Sequence, residues 1–182
     1  MATFLEDAKA AADPPDLVDI VRSGLDSRAS QGFVVGISAE LLLLHSFSGR
    51  LDLDGYTAFR IQDISEFSRD FPRKGFYLKA LELKAIRPAP PVGIDISSVQ
   101  GLLRSIERTY PLVVIHREHV VPGECEIGRI KLTSESTYAL RWITPTATWE
   151  DDDKTYRYSD ITRVDFDSEY ENTLALVAGD AV

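Results

Sequence analysis

Apolar residues recur at helical spacing in several parts of the chain. One stripe at i, i+3, i+4 and i+8 follows a capping Asp and two prolines and predicts a helix: Asp13, Pro14, Pro15, then Leu17, Ile20, Val21 and Leu25. A cleaner stripe follows a possible Ser97 or Ser98 cap: Val99, Leu102, Leu103, Ile106 and Tyr110. Segment 76–86 also predicts a helix, although its start fits strand alternation, and segment 1–12 predicts a short helix or a frayed tail.

Strand patterns fill most of the remaining chain. Apolar residues alternate with polar ones, or form short apolar runs, in segments 33–37, 41–44, 56–67, 112–120, 126–132, 138–142 and 156–166. A shift of the apolar phase at Gly128 predicts a β-bulge there. The acidic residues 150–153 predict a turn. We expect the apolar segment 174–177 to close the second domain and residues 179–182 to be a tail.

A proline-rich stretch and an internal repeat divide the chain in two. Three prolines within residues 87–91 predict a linker over 88–96, between a domain at 1–87 and a second at 97–182. Residues 59–67 align with 156–164 at an offset of 97, sharing the pattern Arg-x-x-Asp-Ile. The segment around Gly36 aligns with that around Gly128 at an offset of 92.

This layout, with a glycine in the second strand of each half, resembles the Sm-like and SH3-like small barrels. The whole chain is also similar to a group of uncharacterised bacterial proteins, through segments 32–35, 43–44, 53–56, 60–64, 112–118, 127–129, 160–166 and 174–176. The resemblance implies a mainly β protein with helices (α+β), built from two tandem small barrels that each follow an amphipathic helix. It implies no assigned activity.

The charge of the chain limits its partners. With 20 basic and 29 acidic residues the net charge is −9, of which −2 falls in residues 1–90 and −7 in residues 91–182. An acidic surface repels phosphate, so we expect no binding to duplex nucleic acid. The small basic group Arg69, Arg73, Lys74 and Lys79 is typical of a solvated face.

The sequence also indicates a compartment. No apolar run approaches the roughly 20 residues that cross a membrane, and no signal-peptide pattern is present at the N-terminus. One cysteine excludes an internal disulfide. We therefore expect a cytoplasmic protein that does not bind a membrane.

The only arrangement with catalytic character joins Cys125 to a histidine. A hairpin turn at Pro122-Gly123 would bring the Cys125 thiol near His116 or His119, one of which would act as its base. His116 and His119 point to opposite faces of a strand, so they do not form a metal site. The acidic run 150–153 lacks the ligand spacing of a calcium loop. We predict no metal and no cofactor.

The candidate binding residues are aromatic and basic. Trp142 and Trp149 lie near each other in sequence, and Trp149 is the one expected at the surface. Arg60 and Arg157 belong to the repeated pattern, which predicts either two equivalent ligand sites or two structural turns. These features favour a non-enzymatic binding or adaptor module whose partner is another protein or a second copy. The alternatives are a protein that binds single-stranded RNA, as Sm-like proteins do, and an enzyme that uses Cys125 with a histidine.

Overall fold

The described residues form four helices and one antiparallel sheet. The structure, a computed structural model, describes residues 2–26 and 28–179. The helices are α1 (Ala2–Ala12), α2 (Lys74–Leu83), α3 (Val99–Thr109) and α4 (Glu169–Ala178). The strands are β1 (Leu17–Val21), β2 (Ser30–Ile37), β3 (Leu41–Ser48), β4 (Asp52–Arg60), β5 (Glu66–Ser68), β6 (Val113–His116), β7 (Cys125–Thr133), β8 (Thr137–Ile143), β9 (Trp149–Arg157) and β10 (Arg163–Phe166).

The expected pair of separate barrels is wrong. All 10 strands form one open sheet in the order β5-β1-β2-β3-β4-β10-β6-β7-β8-β9. A closed barrel would require the two outer strands of each half to pair with each other. Instead β4, from the first half, pairs with β10, from the second half, so that the backbone groups of both strands are satisfied across the junction between the halves.

Each half nevertheless has the same internal arrangement. The order β5-β1-β2-β3-β4 in the first half corresponds to β10-β6-β7-β8-β9 in the second. A three-residue 3-10 turn, Ile61–Asp63 or Tyr158–Asp160, leads from the fourth strand to the fifth. A helix precedes and another follows the strands of each half.

The first predicted apolar stripe lies in a strand and not in a helix. Residues Leu17–Val21 form β1, which pairs with β2 on one side and β5 on the other. Leu17, Val18 and Ile20 are at most 1% exposed. Four apolar residues within five positions fit a strand buried on both faces as well as a helix, and the neighbouring strands decide between the two. The helix in this region is α1, which ends before the two prolines.

Two further elements differ from the predictions in the acidic half. The acidic residues 150–153 lie in β9, while the turn before them spans residues 144–148. An edge strand with solvated side chains tolerates such a run. The closing segment 174–177 belongs to α4, which begins at a capping box formed by Ser168 and Glu171.

The glycines of the second strands mark close approaches of backbone. A Cβ at Gly32 would lie 2.7 Å from the carbonyl oxygen of His45, and a Cβ at Gly128 would overlap that of Arg141. Gly32, and not Gly36, is thus the equivalent of Gly128. The bulge of β7 lies between Ile130 and Leu132, away from this glycine.

One hydrophobic cluster spans both halves. It packs α3 against strands of the second half and also includes Leu41, Leu43 and Ala58 of the first half. The proline-rich segment crosses the surface of β3 and β4, since the Tyr56 hydroxyl donates to the Ala89 carbonyl at 3.2 Å. The Ala89 N–H donates to His45 Nδ1 at 3.2 Å. The connecting segment is therefore packed on the sheet.

Candidate interaction surface

The repeated arginine of the first half joins the two halves. Arg60 is the last residue of β4, and its N–H donates to the Thr162 carbonyl at 3.3 Å. Its guanidinium donates to the carbonyls of Ile161 at 2.5 Å and Tyr158 at 2.6 Å, in the second 3-10 turn. A salt bridge to Glu40 at 2.6 Å holds its remaining nitrogen. Arg60 therefore clamps the end of one half-sheet onto the turn of the next.

A buried ion pair that no sequence pattern predicts strengthens the same junction. Arg22 and Glu118 are 1% and 6% exposed, and their closest N–O distance is 2.5 Å. Glu118 also accepts a hydrogen bond from the Thr162 hydroxyl. No sequence pattern indicates this pair, because Arg22 and Glu118 are 96 positions apart and neither belongs to the repeated pattern.

The carboxylates at the junction are held in their charged form. Burial opposes the charge of Glu118, but the hydrogen bonds from Arg22 and Thr162 outweigh it and lower the pKa of Glu118. Burial opposes the charge of Asp165 as well. The hydrogen bond from His116 and the charge of Arg163 overcome that effect and lower the pKa of Asp165 to about 2.

The structure brings Cys125 and His116 onto neighbouring strands but does not couple them. They are directly opposed in the pairing of β6 with β7. However, His116 Nε2 binds Asp165 at 2.9 Å, and its Nδ1 lies 3.8 Å from Glu118. Desolvation, with the nearby Asp165 charge, raises the pKa of the Cys125 thiol. A reactive thiolate needs the opposite shift, so this pKa does not favour a nucleophilic role for Cys125.

The other candidates of that group lie apart. His119 is exposed and its Nε2 lies 3.1 Å from Asp63 Oδ1, in the first 3-10 turn. Within residues 2–26 and 28–179, no three His, Cys, Asp or Glu side chains gather as metal ligands. No helix in the same ranges is long and apolar enough to cross a membrane.

Both tryptophans are half-buried and held by the protein itself. The Trp142 ring stacks on Tyr156 with a centroid distance of 6.5 Å. The Trp149 indole N–H donates to the Gly179 carbonyl at 3.3 Å, and Arg129 lies over its ring. The two tryptophans, which flank the turn between β8 and β9, thus contribute to packing within the second half.

Arg157 is the exposed counterpart of Arg60. It ends β9, which pairs with β8 and forms one edge of the sheet. In the described part of the chain, the Arg157 guanidinium makes no hydrogen bond or ion pair. In the described residues no strand pairs with the outer edge of β9, and six of its residues in a row, Glu150 to Thr155, are exposed. β9 is therefore a long strand edge that lacks the neighbour β4 has.

The opposite edge of the sheet is β5, which borders a groove. The groove has a volume of about 560 Å3 and lies between α1, the β2–β3 loop and the first 3-10 turn. Its wall includes Phe4, Ile61, Ile64 and Phe67. β5 pairs with β1 on one side only. The turn beside it corresponds to the turn that receives Arg60 in the second half.

Comparisons with known proteins add no relative. No family model, no curated protein and no solved structure matches this chain.

Proposed function

We propose that this chain is a non-enzymatic protein-binding module that binds an extended polypeptide segment along the edge strand β9. The observation that carries the proposal is the nine-residue length of β9 with one side unpaired. An open edge offers a row of backbone N–H and C=O groups to another strand. Such strand addition is a general mode of peptide recognition.

The junction inside the chain supports strand addition as the mode of binding. There β10 docks on β4 through four residue pairs, from Arg163 opposite Phe59 to Phe166 opposite Tyr56. Because β9 occupies the same place in its half as β4, it offers the same kind of edge. We infer that β9 accepts a strand in the same antiparallel sense.

The charge of the edge favours a protein partner over a nucleic acid. The exposed residues Glu150 to Asp153 place four carboxylates in succession on β9. These groups repel phosphate and favour a basic polypeptide.

The raised pKa of the Cys125 thiol and the contacts of His116 with carboxylates argue against the enzyme alternative. Because Cys125 forms no internal disulfide, we place the module in a reducing compartment such as the cytoplasm.

The test is a pull-down with a variant that lacks one outward backbone N–H of β9. The Arg60 N–H points toward β10. Backbone N–H groups alternate in direction along a strand, so the Ala58 N–H points toward β10 as well. Thr155 is the equivalent of Ala58 in β9, and its N–H therefore points outward, away from β8. Thr155→Pro removes this donor and leaves the inner β8·β9 bonds in place. Thr155→Ala is the matched control, because it keeps the N–H.

We expect nuclease-treated lysate to yield a protein partner that binds the wild-type chain and Thr155→Ala but not Thr155→Pro, with equal far-ultraviolet circular dichroism for all three. A partner held equally by Thr155→Pro would show that the edge is not the site. Loss of all partners on nuclease treatment would favour the alternative that the protein binds single-stranded RNA.

A further inference from the structure

We propose that the strand that binds β9 is β5 of a second copy, so that the chains assemble head to tail. This inference rests on the proposed function, since it names the partner of the same edge. Each chain has one free β9 and one free β5, and these are equivalents of β4 and β10, which pair inside the chain. Two copies would thus repeat between chains the junction that already joins the halves of one chain.

The internal repeat fixes the register of this contact. The two 3-10 turns superpose at an offset of 97, because Ile64 N–H donates to Ile61 and Ile161 N–H donates to Tyr158 in the same way. The internal pairs are Arg163 with Phe59, Val164 with Ala58 and Asp165 with Thr57. Carried over by this offset, they become Glu66 with Tyr156, Phe67 with Thr155 and Ser68 with Lys154.

Arg157 gains at this contact the partners that Arg60 has inside the chain. Arg60 donates to the carbonyls of Tyr158 and Ile161. The equivalent acceptors for Arg157 are the carbonyls of Ile61 and Ile64 in the second copy, on the wall of the groove beside β5. The contact therefore gives partners to a guanidinium that has none in the described single chain.

One charged pair also fits this register. β9 contains the four carboxylates from Glu150 to Asp153. β5 itself contains Glu66, and the chain after it carries Arg69, Asp70 and Arg73, of which the register places Arg69 opposite Asp153. Arg69 already forms a salt bridge to Asp16 at 2.9 Å and Asp153 forms one to Arg141, so the contact would join two existing pairs. This pair favours contact between β5 and β9, whereas the carboxylates of two paired β9 strands would repel each other.

A contact between two different edges does not end after two copies. Each added chain presents a new free β9 and a new free β5, so head-to-tail contacts close into a ring or extend as a filament. Every chain would add ten strands to one continuous sheet.

The first experiment measures association of the full chain by sedimentation velocity and light scattering across a concentration series. We expect species larger than a monomer for the wild type, and a dissociation constant at least about tenfold higher for Thr155→Pro and for Arg157→Ala. Arg87→Ala removes an exposed arginine of the connecting segment and serves as the charge-matched control, which should associate as the wild type does.

The second experiment tests the register with cysteine pairs in a Cys125→Ser background. Ser68 and Lys154 correspond to a non-hydrogen-bonded pair, whose Cα atoms lie about 4.5 Å apart and suit a disulfide. We expect a mixture of Ser68→Cys and Lys154→Cys chains to cross-link when oxidised glutathione takes up the two thiol electrons. A mixture of Ser68→Cys and Thr155→Cys should not, because these side chains lie on opposite faces.

The outcomes separate this inference from the proposed function. A wild type that stays monomeric, or that cross-links equally in both mixtures, overturns head-to-tail assembly. Cross-linking of Lys154→Cys alone would indicate β9·β9 pairing and overturns it too. If the monomeric chain still captures a partner that Thr155→Pro loses, the proposed function stands without the second copy. If no partner depends on Thr155, both fail.

Discussion

At the scale of single residues, one motif serves two situations. Arg60 and Arg157 belong to the same nine-residue repeat, yet Arg60 is 12% exposed and fully engaged while Arg157 is exposed at a free edge. The sequence predicted their equivalence, through the shared Arg-x-x-Asp-Ile. It did not predict that Arg60 reaches the turn of the second half and not its own Asp63. That direction depends on which strands pair.

Arg22 gives the sharpest prediction at this scale. Arg22→Ala leaves Glu118 charged and buried without its cation, so we expect the free energy of unfolding to fall by about 3–5 kcal/mol. The control is Arg50→Ala, whose partner Glu169 and own side chain are 70% and 82% exposed. That pair should contribute at most about 1 kcal/mol. Urea unfolding at pH 7 measures both, and equal losses would show that burial of the Arg22 pair is not the cause.

At the scale of elements, the sequence pattern predicts which segments form strands better than it predicts where those strands begin and end. The α3 stripe and its Ser98 cap appear as predicted, because that helix has the complete apolar face and a capping hydroxyl. The stripe at 17–25 misled because its apolar residues fit two periods. The acidic run misled because an edge strand needs no apolar residues. Both errors concern strands whose identity depends on their neighbours.

Gly128 tests how closely two of these strands approach. A Cβ at this position would overlap the Arg141 carbonyl on β8, and backbone cannot move aside as a side chain can. Gly128→Ala should therefore destabilise the protein by about 1–3 kcal/mol. Gly75→Ala is the control, because Gly75 lies in α2 and a Cβ at this position would meet no other atom within 4 Å. There alanine should stabilise by about 0.5–1 kcal/mol. Thermal unfolding distinguishes the two signs.

At the scale of the whole molecule, the junction makes the two halves one unit. The shared cluster contains Leu43 from the first half and α3 from the second, and the sheet runs through both. We expect a single cooperative unfolding transition. Tryptophan fluorescence reports only the second half, because Trp142 and Trp149 are the two tryptophans, whereas circular dichroism reports the whole chain.

The matched variant for this prediction is Leu43→Ala, which removes a core side chain of the first half. It should shift the fluorescence and dichroism midpoints to lower urea by the same amount. A shift in dichroism alone would mean that the halves unfold independently.

The local features of this protein follow from its amino-acid sequence. Periodicity placed most strands, the α3 helix and its cap, and the repeated motif revealed two similar halves, because these depend on neighbours a few residues away. The tertiary structure alone decided that the halves share one open sheet, that Arg22 meets Glu118, and that β9 and β5 remain free. These depend on pairings between residues about 100 positions apart, which leave no periodic trace in the chain.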